Sequence, residues 1–429
     1  MSIMLSTFRS LRHRNYRLYF FGQLVSLVGT WMQNAALSWL AYEITEESKW
    51  PAFITAAQIL PTFLLGPWGG HLADRWPKRP LIFWMQTSFL ILALVLAWLV
   101  LGGTAQPWQL LAVTAATGVV TAIDLPARLS FVMDMVGRED LTNAVALNSL
   151  LFNSARVIGP MLAGPLMIRI GVGHCFLVNA ASYVAVLVAL SRMDISGAPA
   201  PRASSTGNSA LHSLLEGFRY LGKKRKLIFL ILLAGSTALW GWPFLSLLPA
   251  IADGFGAGPR GMSWLYGGVG VGALLAALTL ARFGSPALNR AFISAGVLLV
   301  AAALVALAVS PDIVSSVICC GFIGFGLILF LATSQSVFQL SSEEHNRGRV
   351  MAIWAMVLSI AVPAGNLLAG PAADAWGLTP VLVTLGLACG LTPVLLYAAV
   401  RPWEVVQRSE VRGQRSETES EKSEVKSEK

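Results

Sequence analysis

Charged side chains are scarce in this chain: Asp, Glu, Lys and Arg make up 12% of its 429 residues. A soluble globular protein carries roughly 25%, so the charged surface of a soluble body is missing and that class is excluded. Cysteine is nearly absent too. Cys175, Cys319, Cys320 and Cys389 all lie in apolar stretches without metal-ligand spacing, so neither a disulfide framework nor a metal site is expected. No H-E-x-x-H, G-x-S-x-G or phosphate-binding loop occurs, which leaves enzymatic hydrolysis and direct use of ATP unsupported. The run Gly268-Val269-Gly270-Val271-Gly272-Ala273 imitates a dinucleotide loop, but it lies inside an apolar segment with no preceding strand and reads as helix packing. No cofactor is expected.

Apolar residues fill the space that charge leaves, at 55% of the chain. Runs bounded by Gly, Pro or charge fall at roughly 18–42, 52–73, 80–101, 108–127, 142–168, 174–191, 227–250, 262–282, 289–310, 313–339, 350–373 and 379–400. A membrane span needs ~20 apolar residues, so the pattern predicts an all-α integral membrane protein of twelve transmembrane helices. The segment before the first run is basic and polar and lacks a small-residue cleavage site, so the first helix is read as retained.

The formal net charge of +9 is distributed in short basic runs: Arg9, Arg12, Arg14 and Arg17; Arg75, Lys78 and Arg79; Lys223, Lys224, Arg225 and Lys226. Their positions between spans fit cytoplasmic loops rather than nucleic-acid binding. The opposite connections carry Glu43, Glu46 and Glu47 with little more than Lys49, Arg169 and Arg260. The asymmetry places both termini in the cytoplasm, with the chain in the inner (plasma) membrane.

Asp194 to Ala210 is rich in Pro, Ser and Gly and reads as a flexible linker. Domain boundaries follow: an N-terminal six-helix bundle at 1–192, a cytoplasmic linker at 193–213, a C-terminal six-helix bundle at 214–402 and a disordered cytoplasmic tail at 403–429. Leu211–Lys226 alternates apolar and basic residues and is expected along the inner membrane surface. An internal repeat supports the two halves. Gly159-Pro160-Met161-Leu162-Ala163-Gly164-Pro165, ending at Gly171, matches Gly365-Asn366-Leu367-Leu368-Ala369-Gly370-Pro371, ending at Gly377, at a constant offset of 206 residues. Ser130/Ser336 and Ala146/Ala352 keep the same register.

Between the second and third spans lies Gly69-Gly70-His71-Leu72-Ala73-Asp74-Arg75-Trp76-Pro77-Lys78-Arg79. It resembles the G-x-x-x-D-R-x-G-R-[RK] signature of the major facilitator superfamily. Gly70, Asp74, Arg75 and Arg79 match, Pro77 replaces the usual Gly, and Lys78 replaces the usual Arg. Gly70 is expected to allow close helix approach, and Asp74 to cap a neighbouring helix N-terminus. The resemblance implies a latch, formed by Gly70, Asp74, Arg75, Lys78 and Arg79, that holds one of two access states. Gly159, Pro160 and Gly164 resemble the G-P-x-x-G-G element of exporters in the superfamily, with Ala163 replacing one Gly; helix packing explains the same residues. Arg14–Tyr19, Gly22–Ser26, Leu125–Arg128 and Arg347–Ala352 are similar to the enterobactin-exporter and macrolide-efflux branch. The resemblance implies two pseudo-symmetric bundles around a cavity (the major facilitator fold) and export, driven by protons.

Polar side chains inside a span are costly in lipid and tend to face a cavity. Gln23, Thr30, Gln33 and Asn34 form a stripe on the first span; Thr117 and Thr121 on the fourth; Asn153 and Arg156 on the fifth. These are the candidate substrate contacts, although a Thr in a helix more often bonds back to its own backbone. Arg156 holds an anionic group of the substrate, or else pairs with Asp124 or a carbonyl. Asp124 carries protons, or else serves as the i,i+4 partner of Arg128. Asp124 and Arg156 are thus the proton-coupling candidates. Thr114 stands where many proton-coupled relatives have Arg, which argues against that particular route. The expectation is a monomeric secondary active antiporter that exports a small amphipathic compound (a drug, siderophore or other metabolite), coupled to a proton or other ion. Import or lysolipid flipping by the same fold is the alternative. A membrane receptor or scaffold is the alternative of another class, disfavoured by the polar stripes.

Overall fold

The protein is described here from a computed structural model covering residues 8–194 and 210–400. Most of the expected linker and the tail beyond Arg401 lie outside the described residues. After a 3-10 turn at Arg9–Arg12, the helices are α1 (Arg14–Glu43), α2 (Lys49–Arg75), α3 (Lys78–Leu101), α4 (Pro107–Ile170), α5 (Val172–Ser191), α6 (Ala210–Gly222), α7 (Arg225–Gly241), α8 (Phe244–Gly254), α9 (Gly258–Phe283), α10 (Asn289–Ala308), α11 (Ile313–Leu340), α12 (Arg347–Trp376) and α13 (Leu378–Val400).

Ten of the helical segments are long and apolar enough to cross a membrane. One of them, α4, has 64 residues. At 1.5 Å per residue it would run about 96 Å if straight, twice what a crossing needs. It turns back at Gly137, whose φ of 71° is open to glycine at little cost, so α4 supplies the fourth and fifth spans as limbs 107–136 and 138–170. The 30-residue α1 falls outside those ten because its polar stripe dilutes its hydropathy. With α7 and α8 forming one crossing broken at Trp242–Pro243, twelve spans result. Sequence reading expected a loop over 128–141. The charges there sit instead on helix that continues on both sides of Gly137.

Two six-helix bundles result, and the repeat recurs in three dimensions. Gly171 (φ 84°) ends α4 and Gly377 (φ 89°) ends α12, each followed at once by a new helix. In the first bundle a Cβ on Gly118 would strike the Gln58 carbonyl of α2. In the second, a Cβ on Gly324, again 206 residues on, would strike the Val269 carbonyl of α9. Small residues let these helix pairs meet at backbone distance, the usual means of packing where lipid removes the hydrophobic drive. Tyr16, Tyr19, Ile82, Phe131 and Leu147 centre one core of the first bundle. Trp84, Trp98, Trp108 and Trp376 stand exposed near helix ends, the positions of an interfacial aromatic belt.

The α6 helix packs on the start of α12. Gly217 fits against Ile353 and Arg349, Glu216 pairs with Arg349 at 2.9 Å, and the Tyr220 hydroxyl accepts from the Glu343 N–H at 3.1 Å.

Candidate functional site

One end of the molecule carries the Lys and Arg runs; the other, where α1 turns into α2, is rich in acids. The two bundles join toward the acid-rich end along two seams. In the first, Gly164 of α4 fits against Pro259 and Ser263 of α9, the Ser263 hydroxyl donating to the Pro160 carbonyl at 2.9 Å and accepting from the Gly164 N–H at 2.7 Å. The seam descends through Met161 beside Gly267 to Val157 beside Gly270. In the second, Gly370 of α12 fits against Ser48, Lys49 and Ala52 of α2, while Asp374 accepts from the backbone N–H groups of Ser48 (2.6 Å) and Lys49 (3.1 Å). The Tyr42 hydroxyl adds a bond to Asp253 at 3.3 Å. Of the Gly159, Pro160 and Gly164 element, Pro160 and Gly164 thus form one cross-bundle seam, while Gly159 packs on Val28, Trp31 and Met32 of α1 within its own bundle.

Just below the point where the first seam ends stands Arg156. Its guanidinium carbon lies 5.7 Å from the centroid of the Trp31 ring on α1 and 5.2 Å from that of Trp242, at the break between α7 and α8. Phe152 meets Trp31 edge-on at 5.6 Å. Arg156 has no carboxylate within ion-pair distance and no hydrogen-bond acceptor among the described residues. Asn153 and Ser149 continue its stripe toward the basic end and are exposed, Asn153 Nδ2 donating back to the Ser149 carbonyl.

Asp124 is committed elsewhere. Fully buried, it pairs with Arg128 at 2.7 Å and accepts from Gln86 Nε2 at 3.1 Å; Arg128 in turn donates to Gln23 Oε1 at 2.9 Å. Of the two partners considered for Asp124, the i,i+4 arginine is the one present, and the pairing of Asp124 with Arg156 does not occur. The first-span stripe is divided. Gln23 and Gln33 are buried inside their own bundle; Gln23 Oε1 accepts from Arg128 while its Nε2 has no partner among the described residues, and Gln33 Oε1 accepts from Asn179 of α5 at 2.8 Å. Thr30 bonds to the Ser26 carbonyl and to the Tyr183 hydroxyl. Asn34 is half-buried. Thr117 and Thr121 bond back to the carbonyls four residues earlier.

The latch sequence is likewise split. Lys78 pairs with Asp134 at 2.7 Å, and Arg79 donates to the carbonyls of Leu190 and Ser191 at 2.9 and 3.1 Å, tying α3 to α4 and α5. Asp74 and Arg75 are exposed and unpaired among the described residues. The expected close approach at Gly70 is found one residue earlier. Gly69 meets the Ala122 carbonyl, whereas a Cβ on Gly70 would have nothing within 4 Å.

Residues 5–425 match the family described as transmembrane secretion effector, within the major facilitator superfamily. The staphyloferrin A transporter of Staphylococcus aureus is 25% identical over 390 residues, covering 89% of this chain and 95% of that protein. The multidrug efflux pump Tap of Mycolicibacterium fortuitum is 26% identical over 391 residues, covering 89% and 94%. Among solved structures, a peptide transporter POT superposes with a TM-score of 0.71 at 14% identity, over 90% of this chain and 94% of that one, a likeness of fold.

Proposed function

Since the chain belongs to the transmembrane secretion effector family and is a membrane transporter rather than an enzyme, we propose that it exports a small amphipathic compound by alternating access. The observation that carries this reading is the polarity of the cross-bundle contacts, gathered from the acid-rich end down to Val157 and Gly270. With the basic end in the cytoplasm, by the bias of Lys and Arg, this is an inward-facing form awaiting substrate from the cell, with both termini cytoplasmic. The word efflux in the name of one relative supports the direction.

The opposite state follows from helix register. The α2 and α12 helices run antiparallel, with Ala52 beside Gly370 and Lys49 beside Asp374. Continued to the basic end, that register sets Asp74 opposite Gly348, in the first turn of α12. A carboxylate there meets the positive end of a helix dipole, next to Arg347, whose Nε is buried without a partner. Closing the basic end thus forms the latch, and the exposed Asp74 and uncrowded Gly70 belong to its open form. Driving energy comes from protons. Asp124, the fully buried carboxylate within a span, takes the proton, since a guanidinium keeps its charge.

The test is efflux of fluorescent amphiphiles of either charge from preloaded cells, with and without a protonophore. Expression should lower internal probe, and the protonophore should abolish the difference. Efflux that continues after the gradient collapses would remove proton antiport; gradient-driven accumulation in right-side-out vesicles would favour import.

A further inference from the structure

We propose that Arg156 is the anchor for an anionic group of the substrate, a carboxylate attached to an aromatic or apolar body that lies between Trp31 and Trp242. This deepens the transporter reading above, on which it rests, by naming the class of molecule carried.

Four observations converge. Arg156 sits near the middle of a 33-residue limb, at a depth where a charge is tolerated only beside a counter-charge or water. Asp124, the acid buried inside a span, is already bound to Arg128 and Gln86 and cannot serve. A guanidinium offers five N–H donors; those of Arg156 bond no acceptor among the described residues, and none of its nitrogens is sealed from solvent. What the protein places around them instead are the two indole rings, at 5.7 and 5.2 Å, which favour the cation electrostatically but accept no ordinary hydrogen bond, with the Tyr266 hydroxyl, which donates to the Leu245 carbonyl, within electrostatic reach. The donor fork is therefore free for a bidentate carboxylate, and the rings are suited to a flat apolar body beside it.

The location makes this a transport site. The α4–α9 seam closes immediately above, at Val157 and Gly270, while Asn153 below is exposed. A ligand on Arg156 thus reaches the basic end but not the acid-rich end. Trp31 and Arg156 come from the first bundle and Trp242 from the second. A bound molecule would touch both bundles, and its contacts must change when they rock apart. That is the differential interaction a substrate needs in order to shift a two-state equilibrium.

The test uses purified full-length protein in nanodiscs and three probes of one shape: 2-naphthoate, 2-naphthylmethylamine and 2-naphthylmethanol. Calorimetric titration should find naphthoate bound tenfold or more tighter than the amine, as expected of charge-assisted bonds. Arg156→Gln should erase that preference, so that naphthoate binds no tighter than the alcohol. Arg156→Lys, which keeps charge but loses the fork, should weaken naphthoate several-fold; it also keeps the question open to test should the Gln variant not fold. Equal binding of the three probes, no binding of naphthoate, or unchanged naphthoate binding to a folded Arg156→Gln protein would overturn the assignment. Because no gradient is present, the result does not depend on transport direction. Cellular efflux of cationic probes alone would leave the export reading standing and remove this one.

Discussion

Gly164 and Gly370 stand 206 residues apart, and each lets its helix touch the other bundle at backbone distance, Gly164 against α9 and Gly370 against α2. Their neighbours repeat the symmetry. Gly159 packs on α1 and Gly365 on α7, the first span of each half. The duplicated Gly-rich segment thus makes both seams that hold the acid-rich end shut.

That arrangement predicts a conformational consequence for a larger side chain. A Cβ on Gly370 would lie 2.7 Å from Ala52 Cβ and 2.8 Å from Lys49 Cα, with backbone on one side and little room to yield. Overpacking of this kind costs about 1–3 kcal/mol, and here only the closed acid-rich end bears it. Gly370→Leu should therefore shift the population toward opening at that end. Spin labels on Glu46→Cys and Trp376→Cys, with the native cysteines replaced, should report a longer main distance. Transport should fall about tenfold. An unchanged distance distribution would refute the seam.

The latch yields a second expectation. Asp74→Asn should insert and express normally, because Asp74 bonds nothing among the described residues, yet transport should drop by about tenfold. The loss arises in the state where Asp74 faces the start of α12, where helix-end charge contacts are worth up to about 2 kcal/mol when partly buried. Well-expressed Asp74→Asn with wild-type turnover would dismiss the assignment.

Much of the fold was legible because membrane chains announce it locally. Apolar run length marks the spans and Lys/Arg clusters mark one end; the spacing from Gly159 to Gly171, repeated from Gly365 to Gly377, marks the duplication. The helical turn at Gly137 was not legible, since Asp134, Arg138, Glu139 and Asp140 look like a loop whether or not the backbone stays helical. The crowding of Gly69 rather than Gly70 depends on which face of α2 meets α4, and adjacent glycines give no clue to that. At the site, the stripe on the fifth span was visible by periodicity. Trp31 and Trp242 were not, because no local pattern links residues on different bundles. The commitment of Asp124 to Arg128 followed from i,i+4 spacing, whereas the bond from Gln86 bridges separate helices.

The Asp124–Arg128 pair sets a third prediction. Asp124→Asn leaves a partly buried guanidinium without its counter-charge, a change that costs at most about 3–5 kcal/mol, and the melting temperature should fall accordingly. Asp124→Asn combined with Arg128→Gln should recover most of that loss, since members of one pair are not additive. If Asp124 also takes the transported proton, the double variant will be stable but will no longer respond to a gradient. Gradient-driven transport by the double variant would eliminate Asp124 as the proton carrier.

The last prediction concerns the start of the chain. Asp140, beside the Gly137 turn at the basic end, has its side chain only 4% exposed and gathers Arg9 (2.8 Å), Arg12 (3.1 Å) and His13 (2.8 Å). The Ser10 hydroxyl donates to the Asp140 carbonyl at 3.0 Å, and Tyr16 donates to that of Ala144 at 2.9 Å. The bond from His13, then that from Arg12 and the charges of Arg12 and Arg9, hold the Asp140 carboxyl below its ordinary range. A carboxylate lowered in the docked state favours docking at every pH above the free value of about 3.9, and that contribution disappears as pH falls through the lowered value. Protection of residues 8–16 against hydrogen exchange should accordingly hold between pH 5 and 8 and decline only below about pH 4. Asp140→Asn should remove it across the whole range, with exchange about tenfold faster or more, because Arg9, Arg12 and His13 then lose a common anionic partner. Protection lost anywhere between pH 5 and 8 in the wild type would refute control by the Asp140 carboxyl, and an Asp140→Asn protein as protected as the wild type would leave the carboxylate with no part in docking.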